Sequence, residues 1–380
     1  MNITGDWLDH PGTQSLMLAL EAAGHQALFV GGCVRNALLG EPVADVDIAT
    51  DATPETVTHL ADAAGFKPVP TGIDHGTVTV VAEGKPHEVT TFRRDVETDG
   101  RRAVVAFSAR IEEDAERRDF TMNALYADRL GQVIDPLHGL PDLQARRVRF
   151  VGDPETRIRE DYLRILRFFR FHAAYGDPEE GLDPEGLAAC AALADGLDGI
   201  SRERITAELR KLLTARDPAP AVAAMAQSGI LTRILPGADH RTLAPLVHLD
   251  ATEPPRWLRR LSVLGGETAD LRLSKPEARD LSALRSALGS SDTPAALGWK
   301  LGETLGFDAI LTRAASFGAH PPPGWHNEVR RGATATFPIT AADLMPGLQG
   351  EALGARLKDL EARWLASNLT LTREALLKGA

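Results

Sequence analysis

The sequence is poor in cysteine and in aromatic residues. Its two cysteines, Cys33 and Cys190, stand far apart. That excludes a disulfide framework and a zinc-ligand pattern and fits a reducing compartment. Aromatic side chains make up only 5% of the chain, so the core must rely on Leu, Ala, Val and Ile. No apolar run reaches the roughly 18 residues that would read as a membrane span. Residues 1–10 contain Asp6 and Asp9 but neither a basic region nor an apolar run, so no signal peptide is expected. These absences point to the cytoplasm and to no membrane partner. Low-complexity tracts and clear internal repeats are also missing.

What remains is an ordinary globular composition, with 43% hydrophobic and 25% charged residues. At 380 residues the chain exceeds what one core usually supports, so two or more domains are expected. The net charge of −11 argues mildly against a nucleic-acid partner, because phosphate binding needs local positive charge. Basic residues nevertheless cluster: Arg146, Arg147 and Arg149; Arg157, Arg159, Arg164, Arg167 and Arg170; Arg202, Arg204, Arg210 and Lys211. Taken singly, each cluster reads as a solvated helix face.

The first 150 residues mix strand and helix signals. Residues 13–23 read as a helix, 27–31 as an apolar strand, 32–39 as a helix stopping at Gly40, and 46–50 as a second strand. Thr53 and Pro54 open a helix through Ala64. Residues 77–82 and 87–92 alternate like paired strands around a turn at 83–86. Beyond residue 150 the strand signals nearly vanish and Leu/Ala-rich helical periodicity runs to the end. The proline-rich stretch 320–325 is the candidate linker.

Four motifs carry chemistry. Gly31 and Gly32, with Cys33, Val34 and Arg35, follow a strand and open a helix, where backbone N–H groups suit phosphate. Neither a GxxxxGK[ST] loop nor a GxGxxG fingerprint is present. Asp45 and Asp47, spaced by two on the next strand, share one face. Their mutual repulsion and oxygen chemistry, with substrate phosphates, favour Mg²⁺. In the third motif, RRDFTMNAL at 117–125, Arg117 and Arg118 can pair with a triphosphate and Asp119 can orient one of them. Thr121 and Asn123 can hydrogen-bond a ribose or cap a turn. The fourth, EDYLRILRFFRF at 160–171, places Asp161, Arg164, Arg167 and Arg170 at every third position, a slowly turning stripe on one helix.

In this order the motifs resemble the class II tRNA nucleotidyltransferase and bacterial poly(A) polymerase family, over roughly residues 25–240. The resemblance implies an α+β fold, with a polymerase-β-type nucleotidyltransferase head and mixed sheet at 1–150. A helical neck at 151–235 would read the base and bind RNA, and a helical body and tail at 236–380 would bind tRNA. It implies Asp45 and Asp47 as catalytic Mg²⁺ ligands. Gly32, Arg35 and Arg118 would contact the nucleotide, Asp161 and Arg164 would read the base, and Arg167 and Arg170 would support the site and the phosphates. Asp135 with Pro136, Gly139, Asp142, the VGDP at 151–154 and the RERI at 202–205 with Glu208 match further. Tyr162 departs from the family, which usually has proline there.

Base reading by an Asp–Arg pair has a physical basis. Cytosine and adenine present an N–H donor beside a ring-nitrogen acceptor; uracil and guanine present the reverse. A carboxylate beside a guanidinium therefore fits C and A and clashes with U and G. The expected reaction adds C, C and A to the tRNA 3′ end from CTP and ATP, without a nucleic-acid template and without a protein partner. The RNA 3′-OH attacks the α-phosphate in line, and pyrophosphate leaves. Arg118 and the amides of Gly31 and Gly32 would hold the triphosphate, and Glu88 is a candidate third carboxylate. The alternatives are partial CC or A addition and poly(A) synthesis. The segment PTGIDHGTVT at 70–79 favours the tRNA type. The long polar loop 93–114, with Thr98, Asp99, Gly100 and Arg101, favours full CCA addition.

Overall fold

The computed structural model describes residues 1–98 and 103–378; for Asp74, 95–98 and 103–105 it describes the backbone alone. The chain divides into two compact units, Met1–Ile205 with Ser228–Ile230, and Thr206–Gln227 with Leu231–Ala380.

The first unit begins with α1 (Pro11–Ala22), β1 (Ala27–Val30), α2 (Gly32–Leu39), β2 (Asp47–Thr50) and α3 (Pro54–Ala63). Thr53 caps α3 by accepting the Thr56 N–H, and Gly40 ends α2 in the left-handed region at φ 70°. The strands β3 (Lys67–Gly72), β4 (Thr77–Ala82) and β5 (Lys85–Thr91) follow. Next come β6 (Arg93–Thr98), β7 (Ala103–Phe107), α4 (Ile111–Glu116), β8 (Tyr126–Ala127), β9 (Val133–Ile134), α5 (Leu140–Gln144), α6 (Pro154–Glu160) and α7 (Leu163–Tyr175).

One seven-stranded sheet has the order β3-β4-β5-β2-β1-β8-β9. It is mixed, because β2 runs parallel to β5 while the other pairs are antiparallel. Central β1 is buried at all four positions, whereas β4 buries Val78, Val80 and Ala82 in alternation.

The structure departs from the sequence expectations at four places. Strand β3 had no signal, because Pro68 and Pro70 interrupt it; it lies at the sheet edge, where proline costs no ladder bond. Residues 93–114, expected as a long loop, instead form the hairpin β6–β7 and then α4. Asp99, Gly100 and Arg101 of that expectation lie outside the described residues. The single helix expected over 160–171 is broken. Asp161 is extended at φ −153° and ψ 103° between α6 and α7. Tyr162 sits at φ −60°, a torsion that proline also adopts.

The helices that follow are α8 (Pro184–Ala192), α9 (Arg202–Thr214), α10 (Ala219–Gln227), α11 (Ile230–Ile234), α12 (Leu243–Leu249) and α13 (Trp257–Leu264). The chain ends with α14 (Lys275–Leu288), α15 (Pro294–Ser316, broken at Gly302), α16 (Trp325–Thr334), α17 (Gly350–Ala366) and α18 (Arg373–Lys378). The second unit contains no strand among its described residues. Leu360, Trp364 and Leu376 pack with Ile339 and Ala296 in one core cluster. Arg259, only 2% exposed, is held by Asp250 and Asp308, so its charge is compensated where it is buried. The fourth departure is the stretch 320–325, expected as a linker. It is the turn between α15 and α16, which pack so tightly that Gly332 abuts the Ala295 carbonyl. No helix among the described residues is long and apolar enough to cross a membrane.

Candidate active site

The turn between β1 and α2 forms the floor of the site. Gly31 has φ +69°, and a Cβ there would lie 3.3 Å from Nη1 of Arg118, so both torsion and space call for glycine. Its amide is already used, donating to the Leu125 carbonyl at 3.1 Å. This corrects the expectation that Gly31 and Gly32 both offer N–H groups to phosphate: α2 opens with the amides of Gly32, Cys33 and Val34. Cys33 is buried and its thiol, pushed up to about 11 by burial, donates to the Val30 carbonyl. It is packing, not chemistry.

Asp47 opens β2 and Asp45 stands two residues ahead, just outside the strand and exposed. The parallel pairing of β2 with β5 sets Asp47 opposite Glu88. Asp47 is pushed up to about 6, first by burial, then by Glu88, with a smaller push from Asp45 and an opposing pull from Arg118. Glu88 and Asp45 thus add negative potential at Asp47 that Arg118 relieves only in part. The described residues hold no ready cluster of three or more metal-ligating side chains. Two carboxylates completed by phosphate oxygens are the arrangement Mg²⁺ commonly accepts.

Arg118 lies beside this pair and over the glycine turn. Its Nη2 donates to Asp114 at 2.9 Å and its Nε to the Tyr126 hydroxyl at 3.1 Å. Asp114, 1% exposed, also receives Arg117 and the Tyr126 hydroxyl at 2.7 Å. Burial alone would raise Asp114, but the two guanidinium groups and Tyr126 outweigh it and hold it at about 2. The orienting acid of the arginine pair is thus Asp114, not Asp119 as the sequence suggested. Its signal was the spacing of a carboxylate four residues before an arginine, across the end of the short helix α4.

Asp119 faces the other way. It takes Nε and Nη2 of Arg167 at 2.8 and 2.5 Å and the Asn123 amide at 2.9 Å. Burial pushes Asp119 up, yet Arg167 and Asn123 hold it at about 2. Asn123 in turn accepts Nη1 of Arg35 at 2.5 Å. Arg35, 7% exposed, also reaches Asn36 and the Tyr175 hydroxyl and lies 4.0 Å from the Tyr175 ring centre. It ties α2 to α7. Thr121 also turns inward, donating to Asp142 at 2.9 Å, so neither Thr121 nor Asn123 stands free for a ribose.

Asp161 and Arg164 come from the α6–α7 break, and no ion pair joins them. Asp161 accepts the Leu163 amide and Nη2 of Arg204, the latter at 2.6 Å. Arg164 donates to Glu160 and to the carbonyls of Arg157 and Arg117. Arg170 lies over the Phe171 ring at 4.3 Å. Sequence reasoning did not anticipate Tyr175 and Tyr126, which carry only ordinary core signatures.

The family model described as "Poly A polymerase head domain" matches residues 27–149, and "Probable RNA and SrmB- binding site of polymerase A" matches 181–241. The CCA-adding enzyme of Geobacillus stearothermophilus is 38% identical over 84% of this chain and 81% of its own. The human mitochondrial CCA tRNA nucleotidyltransferase 1 is 43% identical over 53% of this chain; the match spans about half of that protein, 47%. A crystal structure of the Bacillus stearothermophilus CCA-adding enzyme in complex with CTP superposes with TM-score 0.74 at 32% identity, covering 94% of this chain and 92% of that one.

Sheet, glycine turn and paired carboxylates together define a nucleotidyltransferase with a polymerase-β-type head. Within that class, the chain belongs to the family of CCA-adding enzymes, the tRNA nucleotidyltransferases. Enzymes of this family generally use divalent metal ions.

Proposed function

We propose that this protein completes the 3′ end of tRNA, adding C, C and A from CTP and ATP in the cytoplasm. The observation that carries the reading is the meeting of Asp47, Asp45 and Arg118 at the glycine turn in a chain of this family. Asp45 and Asp47 would hold Mg²⁺, whose fit is supported by the negative potential that Glu88 and Asp45 place on the largely buried Asp47. When bound, the ion would lower the pKa of the RNA 3′-OH and neutralise charge on the reacting phosphate. Glu88, opposite Asp47 in register, adds negative potential to the same place.

Arg118, fixed by Asp114 and Tyr126, would carry triphosphate charge, with the Gly32 amide at the helix start beside it. Asp161 and Arg164 would supply the base-reading edge. A carboxylate has more acceptor positions than the Leu163 amide and Arg204 use, and a guanidinium has more donors than three bonds use. Both groups keep hydrogen-bonding capacity while the protein holds them in place. Arg35 and Arg167, linked through Asn123 and Asp119, would keep the glycine helix and α7 in register, with Arg170 beside them. Residues 1–150 would serve as the catalytic head, 151–235 as the neck and 236–380 as the tRNA-binding body and tail.

The test offers tRNA lacking its terminal CCA with CTP and ATP, separately and together. Addition of C-C-A and a stop supports the reading. Long A tails would move it to poly(A) synthesis, and A or CC alone to a partial enzyme. Chelation should abolish incorporation and added Mg²⁺ restore it. Full activity of a protein carrying both Asp45→Ala and Asp47→Ala would remove the metal assignment.

A further inference from the structure

Helix α14 and residues 268–273 line an open groove of about 680 Å³ in the second unit, formed by Thr268, Leu271, Leu273, Ser282, Arg285 and Ser286 among others. Arg285 is its cation. Its Nη2 donates to the Gly265 carbonyl at 2.6 Å, while its Nε is buried and has no partner. No carboxylate pairs with it among the described residues. The contrast with its neighbours is sharp: Arg279 on the same helix pairs with Asp280 at 3.0 Å, and Arg256 and Arg259 pair with Asp308. Burial lowers the pKa of Arg285, so the fold holds a partly desolvated positive charge without compensating it.

A half-buried guanidinium with no carboxylate partner, set among three hydroxyl-bearing side chains, is the chemistry of an anion site. The apolar walls from Leu271 and Leu273 suit a sugar attached to that anion. In a chain of net charge −11, an RNA strand needs such local cationic points to dock at all. We propose that this groove seats a backbone phosphodiester of the RNA substrate, with Arg285 as the contact and Ser282, Ser286 and Thr268 around it. The proposal rests on the tRNA-directed reading above and locates one contact for it.

The test measures binding of tRNA lacking CCA to the full-length protein by fluorescence anisotropy, without nucleotides, across a salt series. Arg285→Gln keeps a donor for the Gly265 carbonyl and removes the charge. Ser286→Asp leaves that bond alone and brings a negative charge to an exposed rim position. Each should weaken binding about tenfold, the scale of one charge-assisted contact. Arg285→Gln should also lower the salt slope by about one. In the incorporation assay each variant should raise the KM for tRNA and leave the KM for CTP unchanged. If Arg285→Gln melts early, Ser286→Asp decides alone. Wild-type affinity in Ser286→Asp, or a change in nucleotide KM in place of tRNA affinity, overturns the site. Salt-dependent tRNA binding by wild-type protein that adds no CCA would instead overturn the activity reading and leave this contact to be judged by its own variants.

Discussion

Asp114 shows how much of the site depends on a residue that is not expected to touch substrate. It sits behind Arg118, takes three partners and is 1% exposed. Replacing it with Ala leaves two arginines uncompensated, and breaking a buried pair from one side costs about 3 kcal/mol. Asp114→Ala should therefore lower the melting temperature and raise the KM for CTP more than it lowers kcat, because Arg118 loses its fixed position. A variant with unchanged melting and unchanged KM would refute this role. The pH dependence follows from the same group. Asp114 is held at about 2 when folded, against 3.8 for the free side chain. Its contribution, about 2 kcal/mol, is fully present above pH 4 and is lost as pH falls toward 2. Asp119, also held at about 2, acts in the same window. Thermal melts between pH 5 and pH 2 should show the wild type losing stability faster than Asp114→Asn, which has no such proton to take up.

Among the elements, the break between α6 and α7 does the most to shape the site, and it was the part least legible in the sequence. A repeat of arginine at every third position reads as one helix; the local sign against it is Asp161 itself, whose carboxylate accepts the Leu163 amide at the start of α7. Tertiary packing accompanies the break: the Tyr162 ring packs onto Gly196, where an added Cβ would lie 1.9 Å from Cδ1. Elements with strong local signals, such as β1, α2, α3 and β4, appear where periodicity and capping placed them. Edge strand β3, with its two prolines, and hairpin β6–β7 depend on partners distant in sequence and were missed. The site divides the same way. Asp45, Asp47 and Arg118 were visible as motif residues; Asp114 left only its spacing to Arg118, and Tyr126 and Tyr175 emerge from packing alone. The Tyr162–Gly196 contact gives a paired prediction. Gly196→Ala should cost about 2 kcal/mol by overpacking in the wild-type chain. In a Tyr162→Pro background, whose backbone torsion already suits proline, the same change should cost much less. Additive losses in the four chemical denaturation curves of that cycle would show that Tyr162 and Gly196 are not coupled.

For the whole molecule, base selection should be readable as global stability, without any RNA present. A ligand that binds only the folded protein stabilises it by about 2.7 kcal/mol at a hundredfold excess over Kd. For a unit of this size that is a rise in melting temperature on the order of 5 °C. If Asp161 and Arg164 form the reading edge, CTP and ATP with Mg²⁺ should each raise the melting temperature. UTP and GTP at the same concentration should raise it less, because they bring a carbonyl toward the carboxylate and an N–H toward the guanidinium. The triphosphate contributes equally in all four cases through Arg118 and the α2 amides, so it cancels in the comparison. Within one ring size, CTP against UTP and ATP against GTP, what differs is the edge. Asp161→Ala should bring the four shifts together while leaving the Mg²⁺-dependent part from the triphosphate in place. Equal shifts for the four nucleotides in the wild-type protein would separate base choice from Asp161 and Arg164 and leave the selection to be made by the RNA-bound state.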